Sequence, residues 1–217
     1  MSTAAIELPL FPLDVVLFPG TVLPLHIFEP RYRRMIIDCQ REDKPFGVVL
    51  ARPESEPLQE EPYSIGTMAT IQELDELEDG CFRLMAVGIR RFRIVSQHRE
   101  KPYLSGLVEP FEDIDEPWED LFPAMHNARG LFGSYLEMLL EVDDDNKIDE
   151  YLPNRPEALS YFIAYFLEVS NEQKQRYLEL TSTRQRLREE INILRREVPF
   201  LHMILTARPP DEKIMLN

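Results

Sequence analysis

Prolines at positions 9, 12, 19 and 24 break up the apolar residues between Leu8 and Phe28, and their spacing constrains the N-terminal part of the chain more than any other feature. Each proline fixes its own φ, removes a main-chain donor and pushes the preceding residue toward extended geometry. A helix is excluded here and so is a long strand, so the segment is expected to be short extended pieces joined by fixed turns. Pro19-Gly20 is the clearest of those turns. The pattern then changes. Glu29-Pro30 puts proline at a favoured first helical position, and Tyr32, Met35, Ile36 and Cys39 recur at i, i+3, i+4 and i+7, which predicts a helix that buries one stripe. Arg31, Arg33, Arg34 and Asp38 fall on its other faces, where a solvated surface is expected.

Phe46 to Ala51 reads as a core strand, and Arg52 to Glu61, with Pro53, Pro57 and four glutamates, as an exposed loop. Residues 65–74 and 81–87 are strand-like, and Asp79-Gly80 between them is a hairpin turn. In Arg90-Arg91-Phe92-Arg93-Ile94, alternation puts Phe92 and Ile94 on one face and Arg91 and Arg93 on the other. Tyr103 to Val108 is the last strand of a set of five or six around one helix, a count that suits a small barrel-like sheet. Composition shifts between Phe111 and Pro117, which divides the chain into a β-rich part, 1–115, and a helical part, 116–217. Beyond that point Trp118, Leu121, Phe122, Met125, Leu131, Phe132, Tyr135, Leu136, Leu139 and Leu140 are spaced as on helices, and so are Leu159, Phe162, Ile163 and Phe166 after Pro156. Ser170 and Ser182 each open a capping pattern. The last helix carries Leu187, Ile191, Leu194 and Val198 as its stripe in a heavily charged remainder, and Pro199 is expected to kink or end it.

The run from Leu8 to Arg33, followed by Ile65-Gly66-Thr67-Met68-Ala69-Thr70-Ile71, Asp79-Gly80 and Gly88-Ile89-Arg90-Arg91-Phe92-Arg93, resembles the two signature blocks of the N-terminal substrate-recognition domain of Lon proteases, a domain shared by cereblon. The likeness is strongest from Leu8 to Ile94. It implies an α+β fold, with a barrel-like (pseudo-barrel) half carrying one helix followed by an α-helical bundle. It also implies a recognition module rather than an enzyme. The partner would be unfolded or extended polypeptide or, for an adaptor, a separate protease or ligase. Lon proteases also carry an ATPase module and a Ser-Lys proteolytic module, and nothing in this sequence matches either, which leaves a Lon-type peptidase as the less favoured reading.

Charge narrows the partners further. The 217 residues carry a formal charge of −15, with 12 basic and 20 acidic residues through Asp115 and 12 and 19 beyond it, so neither part is a basic module. Nucleic-acid binding draws on clustered Lys and Arg, and an evenly acidic chain opposes it; the Arg90–Arg93 strand is the one local exception. No apolar run approaches the roughly 20 residues needed to cross a bilayer. Met1 to Glu7 lacks the basic start and apolar core of a secretory signal, so a cytoplasmic location is expected. Cys39 and Cys81, without C-x-x-C spacing, read as reduced and structural.

The sequence offers no catalytic or cofactor motif. None of Lys44, Lys101, Lys147, Lys174 and Lys213 follows glycine as a phosphate-cradling loop requires, and Gly133-Ser134 lies in a helical pattern rather than a nucleophile elbow. His26, His98, His126 and His202 are scattered, so no metal site is expected. Val142 to Asp149 resembles a calcium loop only in its carboxylates, because Lys147 and Ile148 stand where an oxygen ligand and glycine are needed. What remains is surface. Phe18, Leu25, Ile27 and Phe28 are bulkier than short turns need, and beside Arg31 and the arginine-rich strand they would form an apolar patch with a cationic rim. Phe18, Leu25, Phe28, Arg31, Arg91 and Arg93 are therefore the candidate peptide-binding residues. Two alternatives stay open: that these residues are core, with the arginines paired to nearby acids, or that the surface is a helical groove at Trp118 or Tyr135.

Overall fold

The computed structural model describes residues 5–53, 61–140 and 148–207. Most of the expected 52–61 loop, the acidic run at 142–147 and the first four residues lie outside that set. Six strands form one sheet: β1 Ile6–Leu13, β2 Val22–Ile27, β3 Phe46–Leu50, β4 Ile65–Glu76, β5 Phe82–His98 and β6 Ser105–Pro110, with α1 Pro30–Glu42 between β2 and β3. The order is β2-β5-β4-β3-β1-β6, and β6 returns to pair with β5, so five strands close into a ring with β2 added outside it. The length of β5 makes this possible. It pairs with β2 through Phe82–Val87, with β4 through Phe82–Arg93 and with β6 through Phe92–His98.

The prolines do not shorten β1 as expected. It runs eight residues through Pro9 and Pro12. Ile6–Pro9 pair only with β6 and Leu10–Leu13 only with β3, so each half has an open side where a missing N–H costs no ladder bond. The Pro19-Gly20 turn forms as the sequence predicts: the Thr21 amide donates to the Phe18 carbonyl at 3.2 Å and Gly20 sits at φ +78°.

Tyr32, Met35, Ile36 and Cys39 of α1 are all buried and pack with Phe11, Phe46, Phe82 and Leu84 of the sheet. A second cluster is built from Leu8, Leu10, Val49, Met68, Phe92 and Val108 of the ring strands and Leu104 just before β6. Each buried Leu or Phe contributes about 1.5–3 kcal/mol.

The described residues of the C-terminal part form helices joined by short connections: α2 Trp118–Leu139, α3 Ile148–Tyr151, α4 Pro156–Phe166, α5 Asn171–Glu179 and α6 Thr183–Ala207. Both predicted caps form, with the Ser170 hydroxyl accepting from the Gln173 amide and the Ser182 hydroxyl from the Gln185 amide. Pro199 does not end α6, which continues to Ala207. The proline removes one donor and leaves the bonds of the neighbouring turns in place.

The units divide between Ile114 and Asp115, beside the expected division, but they are not continuous in sequence. Compact units form from Met1–Ile114 with Ala164–Thr181, and from Asp115–Ile163 with Ser182–Asn217, so the end of α4 and all of α5 belong with the sheet. Hydrogen bonds supply the reason. Asn171 donates to the Asp14 carbonyl, Gln175 to the Ile65 carbonyl and the Ile114 amide to the Thr181 carbonyl. In the other unit, Leu121, Ala128, Phe132 and Leu136 of α2, Leu159 and Ile163 of α4, and Leu187, Ile191 and Leu194 of α6 are buried.

Candidate functional site

β2 is the strand with an uncommitted edge. It pairs only with β5 among the described residues. Its side chains alternate: Val22, Pro24 and His26 are exposed, Leu23 and Leu25 are half-buried against the core, and Ile27 is buried. Main-chain groups alternate too, and Pro24, opposite Met85, has no N–H to give. The free edge therefore offers the main-chain groups of Val22 and His26 on either side of a proline that interrupts the row. Phe28 follows directly. It is 63% exposed, with its ring 6.0 Å from that of His26. Arg31 stands beside it on the first turn of α1, where it donates to Glu29 at 2.9 Å and lies 4.4 Å over the Tyr32 ring. A charge-balanced pair thus borders the aromatic residue.

The other candidate residues divide. Phe18 is fully buried, because its carbonyl caps the 18–21 turn through the Thr21 hydroxyl and its ring enters the interior. Arg91 is buried at 3% exposure, not on a surface. Its guanidinium donates to the carbonyls of Leu178 at 2.6 Å and Leu180 at 2.7 Å, and to the Asp113 carboxylate. Those carbonyls belong to the last turn and C-cap of α5, groups a helix leaves unsatisfied, so Arg91 is a clamp on the returning helix. Arg93 shares its face of β5, is exposed, and reaches Glu109 at 3.4 Å. The Phe111 ring lies 4.8 Å from the Arg91 guanidinium and 4.7 Å from that of Arg93. Phe28 and Arg31 therefore lie just past the end of β2, Leu25 turns toward the core, Arg93 lies elsewhere on β5, and Phe18 and Arg91 belong to the interior.

The second signature block is structural in its other members too. The Thr67 hydroxyl donates to the Leu17 carbonyl at 2.6 Å. Gly88 donates its amide to the Thr21 carbonyl and accepts from Gly20, and a Cβ on it would sit 2.3 Å from the Phe18 carbonyl oxygen. Only glycine allows that approach of β5 to the 18–21 turn.

Sequence reasoning named Trp118 and Tyr135 as another possible surface. Tyr135 is core. Trp118 is 52% and Phe122 50% exposed, and with His126 they form a ridge along α2, the rings 5.6 and 6.0 Å apart in succession.

Two hydrogen-bonded side-chain clusters were not anticipated. Ser160 on α4 donates to Glu190 Oε1 at 2.9 Å and accepts from Arg186 Nε at 2.7 Å, with the Arg186 guanidinium 4.2 Å over the Tyr161 ring. Burial pushes the Glu190 carboxyl well above its usual range, against the pull of Arg186, and Oε2 has no hydrogen-bond partner. The available signal was the i, i+4 placement of Arg186 and Glu190, one residue before Leu187 and Ile191 of the apolar stripe. In the β unit, Tyr103 donates to Asp38 at 2.9 Å beside a pit of about 50 Å³ that Cys39 also lines. Burial, then Asp38, pushes the Cys39 thiol up to about 11, so it stays protonated and a poor nucleophile at neutral pH. Among the described residues no His, Cys, Asp and Glu side chains group as a metal site would require, and no helix is long and apolar enough to cross a membrane.

Comparison with known proteins bears on the same residues. The family model of the ATP-dependent protease La (LON) substrate-binding domain matches residues 7–196. The chain is 26% identical over 198 residues to a Lon protease of Dictyoglomus thermophilum and 30% identical over 201 residues to Lon protease 2 of Myxococcus xanthus. Each match covers 90% of this chain but only 25% and 24% of the relative, so the chain spans about a quarter of their length. Among solved structures, a Lon N-terminal domain protein from Xanthomonas campestris superposes with a TM-score of 0.60 at 27% identity, covering 94% of this chain and 99% of the other. The N-terminal domain of a Mycobacterium avium complex Lon protease reaches 0.69 at 20% identity, covering 88% and 98%, which supports the fold alone.

Proposed function

Because the chain belongs to the family of the ATP-dependent protease La (LON) substrate-binding domain, we propose that it binds extended polypeptide and performs no chemistry on it. The observation that carries this reading is the corner at the free edge of β2, where main-chain groups are open beside exposed Val22, Pro24, His26 and Phe28. An extended peptide would add along that edge, taking main-chain hydrogen bonds from Val22 and His26 and laying an apolar side chain against Phe28. Pro24 limits the number of those bonds, so affinity per site would be modest and selection would be for apolar and aromatic segments. The Cys39 thiol and the Ser160 hydroxyl, both held in structural roles, support a binder over a hydrolase.

Docking on a separate protease or ligase is the second reading. The Trp118–Phe122–His126 ridge favours it, because an adaptor needs a further exposed surface. The test is capture of fluorescently labelled, denatured casein by the parent and by Phe28→Ala, with circular dichroism of both and gel analysis of the casein. Capture of intact casein that weakens in a folded Phe28→Ala protein supports the reading. Undiminished capture moves the surface away from β2, and casein cleavage lost on substitution of a single Ser or Lys overturns the non-catalytic part.

A further inference from the structure

On a chain with a formal charge of −15, one groove is lined by three arginines. It is a trough of about 510 Å³ between α2 and α6, both in the second unit. Arg184, Arg188, Ile191 and Arg195 repeat at i, i+4, i+7 and i+11, which puts them along one face of α6. Ile191 is buried and forms the floor, while Asn127 and Asn192 supply neutral hydrogen-bonding groups on the walls. Arg184 is neutralised within the fold, 3.6 Å from Glu116 and 3.5 Å from Asp120. Arg188 and Arg195 are exposed and make no ion pair or hydrogen bond among the described residues. Glu119 also lines the trough, but it neighbours Asp120 at the Arg184 end, about 16 Å along the helix from Arg195.

We propose that this groove binds an acidic segment of a polypeptide, with two carboxylates meeting Arg188 and Arg195. Seven residues separate the two arginines, about 10 Å along the helix axis. Acidic side chains two to four positions apart on an extended peptide span about 7–13 Å and bracket that distance. The form of the trough favours a polypeptide over a small anion: its walls are exposed and polar and no aromatic side chain lines it, whereas small-ligand sites enclose most of their ligand in apolar surroundings. Guanidinium forks pair with carboxylates bidentately, which gives an otherwise acidic surface one place where acidic sequence is selected. The proposal rests on polypeptide recognition as the function and adds a second, chemically distinct preference to the apolar one at Phe28.

The test is fluorescence anisotropy of the whole chain with three labelled probes: a glutamate–serine repeat peptide, its glutamine–serine counterpart, and an apolar peptide rich in Phe and Leu. Unlabelled pyrophosphate serves as competitor. The parent should bind the glutamate probe, bind the glutamine probe about tenfold more weakly, and lose the glutamate probe as salt rises. The double variant Arg188→Gln/Arg195→Gln should weaken the glutamate probe about tenfold and leave the apolar probe unchanged, since neither arginine supports the fold. Equal binding of the glutamate probe by parent and variant overturns the groove while the apolar probe keeps polypeptide recognition intact. Tight pyrophosphate binding with no binding of the glutamate probe overturns the polypeptide as occupant. Failure of every peptide probe overturns the function on which the proposal stands.

Discussion

β2 and β5 lie side by side in the sheet, yet they treat their side chains in opposite ways. On β5 a guanidinium, that of Arg91, is buried and fully engaged, while at the end of β2 an aromatic ring, that of Phe28, is left in solvent. Each inverts the usual preference, and the inversions differ in kind. Burying Arg91 is sustained by two helix-end carbonyls and a carboxylate, so it is a structural expense met by structural partners. Phe28 is mostly in solvent, with the His26 ring 6.0 Å away. An exposed apolar residue without a structural return is the better indicator of a binding surface. Gly88 and Arg91, both in the second signature block, thus hold the fold, whereas Phe28 makes no comparable structural contribution.

The largest expected effect tests the structural side of this contrast. Arg91→Met leaves the Leu178 and Leu180 carbonyls and Asp113 without their donor, and should cost about 3–5 kcal/mol in urea unfolding. A cost under about 1 kcal/mol would mean the clamp is incidental. Next comes Glu190, the buried carboxyl in the helical unit. Its carboxyl is raised above the unfolded value of about 4.3, so the folded state retains a proton that the unfolded state has lost. That contribution is present below the unfolded pKa and is lost as pH rises toward the folded one. Glu190→Gln should remove this fall from the stability-versus-pH profile, measured by thermal unfolding, while keeping the acceptor for Ser160. Phe28→Ala has the smallest expected effect on stability, within about 0.5 kcal/mol, as for an exposed position. A loss near that of a core Phe, about 3–5 kcal/mol, would erase the contrast between the two strands.

Much of the fold was legible because it rests on local rules. The α1 stripe, the Asp79-Gly80 hairpin and the caps at Ser170 and Ser182 follow from spacing, turn chemistry and hydroxyl placement, and each forms. What periodicity reports is that one face is covered, not what covers it. Hence the alternation in β5 put Arg91 and Arg93 on one face, but only tertiary structure reveals that α5 returns over the first of them. The return of Ala164–Thr181 to the sheet was hidden for the same reason, since its bonds join residues far apart in sequence. Spacing alone makes Pro9 and Pro12 strand breakers, but their effect depends on which side of the strand is paired, and that is a property of the sheet. At the candidate site, the proline-broken apolar run points to Phe28 and Arg31 as exposed candidates, whereas the open edge of β2 depends on strand order.

Hydrogen exchange on the segment from Val22 to Phe28, with and without saturating denatured casein, tests the central claim most directly. Main-chain groups on the open side of β2 exchange freely unless a ligand covers them. Slowed exchange across that segment on casein addition is the predicted result. Unchanged exchange at β2, with protection appearing instead around Trp118 to His126, would contradict the account and transfer polypeptide binding to the α2 ridge.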